Sequence, residues 1–106
     1  MVKAPDRTVE INKDGTDIMF WDRHAKTGTM RTYIIPKDKI TSIQFSKTTV
    51  RKRFKKTETE MITIVTRLRF EPFIIYATEE PKYYDEYKEQ IKAFAKKNML
   101  TCREAL

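Results

Sequence analysis

The sequence is poor in residues that build metal sites, crosslinks or phosphate loops. Among 106 residues there are one cysteine, Cys102, one histidine, His24, and two glycines. A single thiol cannot form an internal disulfide, and one Cys with one His cannot supply the four ligands of a structural zinc site. Two glycines also argue against a glycine-rich phosphate-binding loop. We therefore expect no cofactor, no metal ion and no enzymatic activity.

Long apolar runs are also missing. No stretch approaches the roughly 18 residues that a membrane-spanning helix requires. Residues 1–10 contain no apolar signal region. Together with the lone thiol, these absences predict a cytoplasmic protein in a reducing compartment, with no transmembrane segment.

What the sequence does contain is enough apolar material for one domain, residues 1–106, and a large positive charge. Hydrophobic residues make up 40% of the chain and charged residues 35%. A chain of this length buries roughly two-thirds of its unfolded surface. The formal net charge is +7 and the pI is about 9.6. Such a balance favours an anionic partner: an acidic protein or other polyanion, nucleic acid, or anionic lipid.

Alternation of apolar residues predicts about seven short strands between residues 7 and 77. The first four cover residues 7–11, 17–22, 30–35 and 40–46. Asp14-Gly15 carries the strongest hairpin signal, because this pair tolerates the positive φ angles of tight turns. Pro36 ends the third strand, since proline cannot donate to a sheet ladder.

The second half of the predicted sheet begins after a break at residues 47–48. A fifth strand covers residues 49–56, a turn follows at Thr57-Glu58, and a sixth strand covers residues 60–70. Pro72 separates it from a seventh strand at residues 73–77. In this arrangement Val50, Lys52 and Phe54 point inward.

After residue 80 the apolar spacing becomes helical. Thr78 is the predicted capping hydroxyl and Asn98 the predicted C-cap of a helix over about residues 80–98. The apolar stripe of that helix consists of Tyr84, Tyr87, Ile91, Phe94 and Ala95. The predicted fold class is α+β and mostly antiparallel β: a bent sheet or partly open barrel of about seven strands, capped by one C-terminal helix.

Three segments of this pattern resemble the pleckstrin-homology-like superfamily, particularly its small bacterial members. They are IIPKDKITSIQF at residues 34–45, the strand pair MITIVTRLRF-EP-FIIYAT at 61–78, and the helix YYDEYKEQIKAFAKKN at 83–98. The resemblance implies a strongly bent seven-stranded sheet closed by a helix, and a binding module in place of an enzyme. Phosphoinositide-binding members concentrate cations in the first hairpin loop. Here that loop, residues 12–15, has one cation and one acid, so inositide recognition is not implied.

The most distinctive feature is the basic segment between Lys47 and Lys56, where six cations occur in ten residues. With a turn at Thr57-Glu58, the outer face of the fifth and sixth strands would form one basic strip. That strip consists of Arg51, Arg53, Lys55, Arg67 and Arg69, flanked by Lys47, Lys52 and Lys56. The cations would repel one another and be relieved by a polyanion. Alternatively, they are solvated residues that discourage edge-to-edge pairing of sheets.

Other candidate residues are best explained structurally. Asp22 and His24 could form an acid–base pair, but no nucleophile accompanies them, so His24 is expected to be an ordinary surface histidine. Cys102 lacks a histidine at a defined spacing and is expected to be inert. Trp21 and Tyr33 are possible base-stacking rings but are expected to be semi-buried. Tyr83 lies off the helical stripe and is a possible contact for a protein partner.

Three functions remain open from the sequence. The first is a non-enzymatic binding or adaptor domain that contacts an anionic or acidic partner through the basic strip. The second is a nucleic-acid-binding accessory protein of a mobile element or phage, using the same strip. The third is a structural or assembly subunit that self-associates through an open sheet edge.

Overall fold

The computed structural model describes residues 7–23, 30–52 and 54–105, without the side chains of Arg23, Met30 and Lys52. In these residues the chain is α+β, with seven mostly antiparallel strands in two sheets and one helix. The sheets are not closed, as expected for a bent sheet capped by a helix. The expected loop around His24 and the N-terminal residues 1–6 lie outside the described residues.

The first sheet is a meander of three strands: β1 (Val9–Ile11), β2 (Asp17–Arg23) and β3 (Met30–Pro36). The predicted Asp14-Gly15 turn joins β1 to β2. Gly15 has a φ of 69°, and its N–H donates to the carbonyl of Asn12 at 2.9 Å. Pro36 is the last residue of β3, as predicted, and a single 3-10 turn at Lys37–Lys39 follows.

The second sheet has the order β6-β5-β4-β7. Its strands are β4 (Ile40–Lys52), β5 (Lys55–Thr66), β6 (Phe73–Tyr76) and β7 (Cys102–Ala105). β7 pairs in parallel with β4, whereas the other pairs are antiparallel. The sequence pattern missed β7, because its four residues alternate no apolar side chains and all four are exposed.

The strand boundaries in the basic segment differ from the prediction. The fourth and fifth predicted strands are one continuous strand, β4, without a break at residues 47–48. Lys52 pairs with Lys55, so the chain reverses between these two residues and not at Thr57-Glu58. The run of β-branched residues at Thr48, Thr49 and Val50 favours the continued strand.

The core lies between the two sheets and helix α1 (Tyr84–Lys97). All five residues of the predicted helical stripe are buried. The helix begins later than predicted, because Thr78 is part of a turn in which its N–H donates to Thr59 Oγ1 at 3.2 Å. Tyr87 links the helix to β1: its hydroxyl accepts from the Thr8 N–H at 2.9 Å and donates to Glu80 at 3.0 Å. Burial raises the pKa of Tyr87 to about 12.

The C-terminus of α1 is closed by a Schellman motif. Asn98 is the C-cap, as predicted, and the Leu100 N–H donates to the Ala95 carbonyl at 2.9 Å while the Met99 N–H donates to Lys96. Met99 occupies the left-handed position of the motif with a φ of 53°. That position favours glycine, because a Cβ atom is strained there.

We predict that Met99→Gly stabilises the protein by up to about 1 kcal/mol. The Met99 side chain is 93% exposed, so its removal costs little packing. Urea denaturation of the wild type and the variant measures the difference. A loss of stability would show that Met99 makes a contact that outweighs the backbone strain.

Candidate functional site

The continuous β4–β5 hairpin extends beyond the rest of the sheet. β7 covers β4 only as far as Ser46, and the last ladder partner of β6 on β5 is Met61. Residues 47–52 and 55–60 therefore form a two-stranded ribbon, which together with the turn that joins them we call the arm. Six residues of β4 span about 20 Å at the rise of an extended strand, in a molecule whose longest principal extent is 42 Å.

The base of the arm is anchored and balanced in charge. The Lys47 Nζ atom lies 3.8 Å from Glu58 Oε1. Glu60 Oε1 accepts a hydrogen bond from Lys88 Nζ of the helix at 3.0 Å. The Ala77 N–H donates to the Glu60 carbonyl at 2.9 Å. These contacts join the arm to the helix and to the turn after β6, so the first part of the arm has a defined direction.

The tip of the arm, residues 50–57, has a different character. Its sequence contains five cations and no acid. Arg51 is the register partner of Lys56, and Lys52 that of Lys55. Arg51, Lys55 and Lys56 are exposed, whereas Arg53 and the side chain of Lys52 lie outside the described part of the structure. Like charges placed directly opposite each other destabilise a sheet. The fold therefore concentrates positive charge at the tip at a cost to local stability.

Cations at the tip lie on both faces of the ribbon. Arg51 and Lys56 are on the face that carries Phe45 and Ile62 nearer the core, whereas Lys55 alternates to the opposite face. A ligand can therefore meet positive charge from either side of the ribbon.

Phe54 lies at the tip and is 105% exposed. The sequence pattern placed this ring inward, on the face of Val50 and Lys52, and that prediction is wrong. The reason is the shifted turn: Phe54 is next to the point where the chain reverses and is not in the middle of a strand. The sequence does contain a signal for the position of the turn. If the apolar residues of the two strands are paired, Ile43 with Ile64 and Phe45 with Ile62, the chain must reverse next to Phe54.

Two of the predicted site residues lie far from the tip. Arg67 and Arg69 follow the opposite end of β5, on the order of 30 Å away along the strand. The five cations of the predicted strip are therefore not brought together on one surface. Lys47 lies between the two groups, at the base of the arm, close to Glu58.

Arg69 has a role within the fold. Its guanidinium carbon lies 3.7 Å from the ring centroid of Phe73 and 5.0 Å from that of Tyr33. It donates to two backbone carbonyls of the following loop at 3.0 and 3.3 Å, and lies 3.6 Å from Asp22. Arg69 thus covers the aromatic end of the core and ties the β5–β6 loop to the first sheet. Arg67 is exposed, and its backbone N–H donates to the Lys39 carbonyl at 2.8 Å.

The remaining candidates have intramolecular contacts. The Tyr83 ring stacks on that of Tyr87 with centroids 6.2 Å apart. The Arg7 guanidinium carbon lies 5.0 Å from the centroid of the Tyr83 ring. Trp21 and Tyr33 are half-buried. Partial desolvation raises the pKa of the Cys102 thiol, which favours its unreactive neutral form.

Comparison of the chain with protein-family models, with curated proteins and with solved structures finds no match in any of the three. The pleckstrin-homology-like assignment therefore stays a prediction.

Among the described residues, no group of three or more His, Cys, Asp or Glu side chains is arranged to hold a metal ion. The helix in the described ranges is too short and too polar to cross a membrane.

We predict that Arg69→Ala destabilises the fold by about 1–2 kcal/mol, because the cation–π contacts and the loop hydrogen bonds are lost together. Arg67→Ala, a matched loss of one guanidinium, changes stability by less than about 0.5 kcal/mol. Urea denaturation of both variants measures the difference. Equal effects would contradict the structural role of Arg69.

Proposed function

We propose that this chain is a non-enzymatic binding module with a pleckstrin-homology-like architecture, which contacts an anionic partner through the tip of its arm. The observation that carries the proposal is the pairing of like charges at the tip, Arg51 with Lys56 and Lys52 with Lys55. A fold gains nothing in stability from these pairs, whereas an anionic partner is attracted to both cations of each pair.

The proposed contact residues are the five cations between Arg51 and Lys56. Arg69 is excluded, because its guanidinium is used within the fold, and Arg67 is excluded by its distance from the tip. Lys47 lies next to Glu58, so it contributes less free charge than the tip. A cytoplasmic location, expected from the single cysteine, belongs to the same proposal.

Charge at the tip also has a purely protective explanation. Both lateral edges of the arm beyond residues 47 and 60 are open in the described sheet. Lysines on open edges discourage pairing with another chain. This explanation requires charge along the open edges but no partner.

Retention on immobilised heparin tests whether the tip, and not the net charge of the chain, attracts a polyanion. We predict that the double variant Lys55→Glu with Lys56→Glu elutes at a clearly lower salt concentration than the wild type. The control, Lys37→Glu with Lys39→Glu, makes the same change in net charge at exposed positions in the 3-10 turn before β4. We predict that it elutes close to the wild type.

Equal shifts for the two double variants would show that only net charge matters and would contradict the proposed site. Circular dichroism of both variants checks that the fold is retained, which is expected because all four side chains are exposed.

A further inference from the structure

The fully exposed ring of Phe54 is not explained by charge alone. It is 105% exposed, at the end of a ribbon whose other described tip residues are polar, cationic or half-buried. Within the described residues it has no aromatic or cation–π contact. A phenyl ring held in water forgoes the burial that stabilises most aromatic side chains. A ligand that covers the ring would recover the stabilisation that burial provides.

From this placement we infer that the ligand of the arm is single-stranded nucleic acid, with a base stacked on the Phe54 ring and neighbouring phosphates in contact with Arg51, Lys55 and Lys56. This inference rests on the proposed function, because it names the anionic partner. Proteins that bind single strands combine cations along the backbone with aromatic rings on which bases stack.

The combination of ring and charge favours nucleic acid over other anionic partners. A nucleic acid strand repeats a flat ring and a phosphate with every nucleotide, so one strand can satisfy Phe54 and the cations together. An acidic peptide offers carboxylates without a regular supply of flat rings. A membrane anchor of the amphipathic kind presents several apolar residues on one face, whereas Phe54 has a cation on each side in the sequence.

The position of the cations favours a single strand over a duplex. Arg51 and Lys56 lie on one face of the ribbon and Lys55 on the other, so a flexible strand can pass over the tip with phosphates on both sides of the ring. Bases of a single strand are free to stack on a protein ring. In a duplex, insertion of a side chain between base pairs requires that they first unstack, which costs free energy.

Fluorescence anisotropy with a labelled thymidine oligonucleotide tests the inference. We expect Phe54→Ala to weaken binding by about 5- to 150-fold, the range found when one stacking ring is removed. Phe54→Trp retains a stacking ring and is expected to bind at least as well as the wild type. Phe70→Ala is the matched control, because Phe70 is 102% exposed but lies in the loop at the far end of β5; it should leave the affinity unchanged.

Salt dependence tests the phosphate contacts in the same assay. For single strands, the slope of log K against log salt falls by about 0.7 for each phosphate contact. Lys55→Glu with Lys56→Glu removes two of these contacts and should therefore reduce the magnitude of the slope of log K against log salt by about 1.4 or more. An unchanged slope would contradict contact between these lysines and phosphates.

The outcomes separate this inference from the proposed function. If the lysine variant weakens both heparin retention and oligonucleotide binding while Phe54→Ala binds as the wild type does, the basic site stands and the stacking inference fails. Tighter binding to a duplex of equal length also overturns it. The inference is also overturned if vesicles containing phosphatidylserine shift the emission of Phe54→Trp to the blue by more than they shift that of the wild type, which contains Trp21, while the oligonucleotide causes no change. Heparin retention that does not depend on Lys55 and Lys56 would overturn the proposed function itself.

Discussion

The apolar ladder between β4 and β5 determines where the basic segment is placed. Ile43 pairs with Ile64 and Phe45 with Ile62, and all four side chains are buried. Because these residues are paired and the ladder beyond them has no bulge, the chain must reverse direction midway between Phe45 and Ile62, which is next to Phe54. A shift of one residue would turn the apolar side chains to the other face of the sheet. The core therefore fixes the position of the tip from a distance.

Length and charge along the arm follow from this register. The chain between the buried pairs is longer than β6 and β7 can cover, so the excess projects as a ribbon. Acids near its base, Glu58 and Glu60, pair with lysines. The cations fall at the far end, where cross-strand partners have the same charge. An arm without its own core is only marginally stable, and the opposed cations lower its stability further. A bound anion would stabilise the tip directly.

Much of the fold follows from the sequence, because periodicity and turn chemistry agree over most of the chain. The stripe of α1 that includes Tyr87 and Ile91, the turn at Gly15 and the end of β3 at Pro36 each have a local signal. The α+β class with a capping helix follows from these. β7 has no such signal, since its pairing with β4 depends on where the end of the helix places the residues that follow it.

The candidate site was predictable in composition but not in geometry. The density of cations near Arg51 is visible in the sequence. The reversal next to Phe54 is not marked by glycine, proline, asparagine or aspartate, and Thr57-Glu58 is a more polar alternative. Matching the apolar residues of the two strands in pairs would have located the turn. The inward role of Arg69 depends on Phe73 and Tyr33, which come together only in the folded protein.

The central claim is that an anionic ligand contacts the tip of the arm. Titration of the isotope-labelled protein with a thymidine oligonucleotide, followed by amide chemical shifts, tests it most directly. We predict that the largest changes fall on residues 50–57, with weaker changes toward Lys47 and none at Arg67 or along the outer face of α1. Changes concentrated at residues 67–70 or on the helix, with the arm unaffected, would contradict the account.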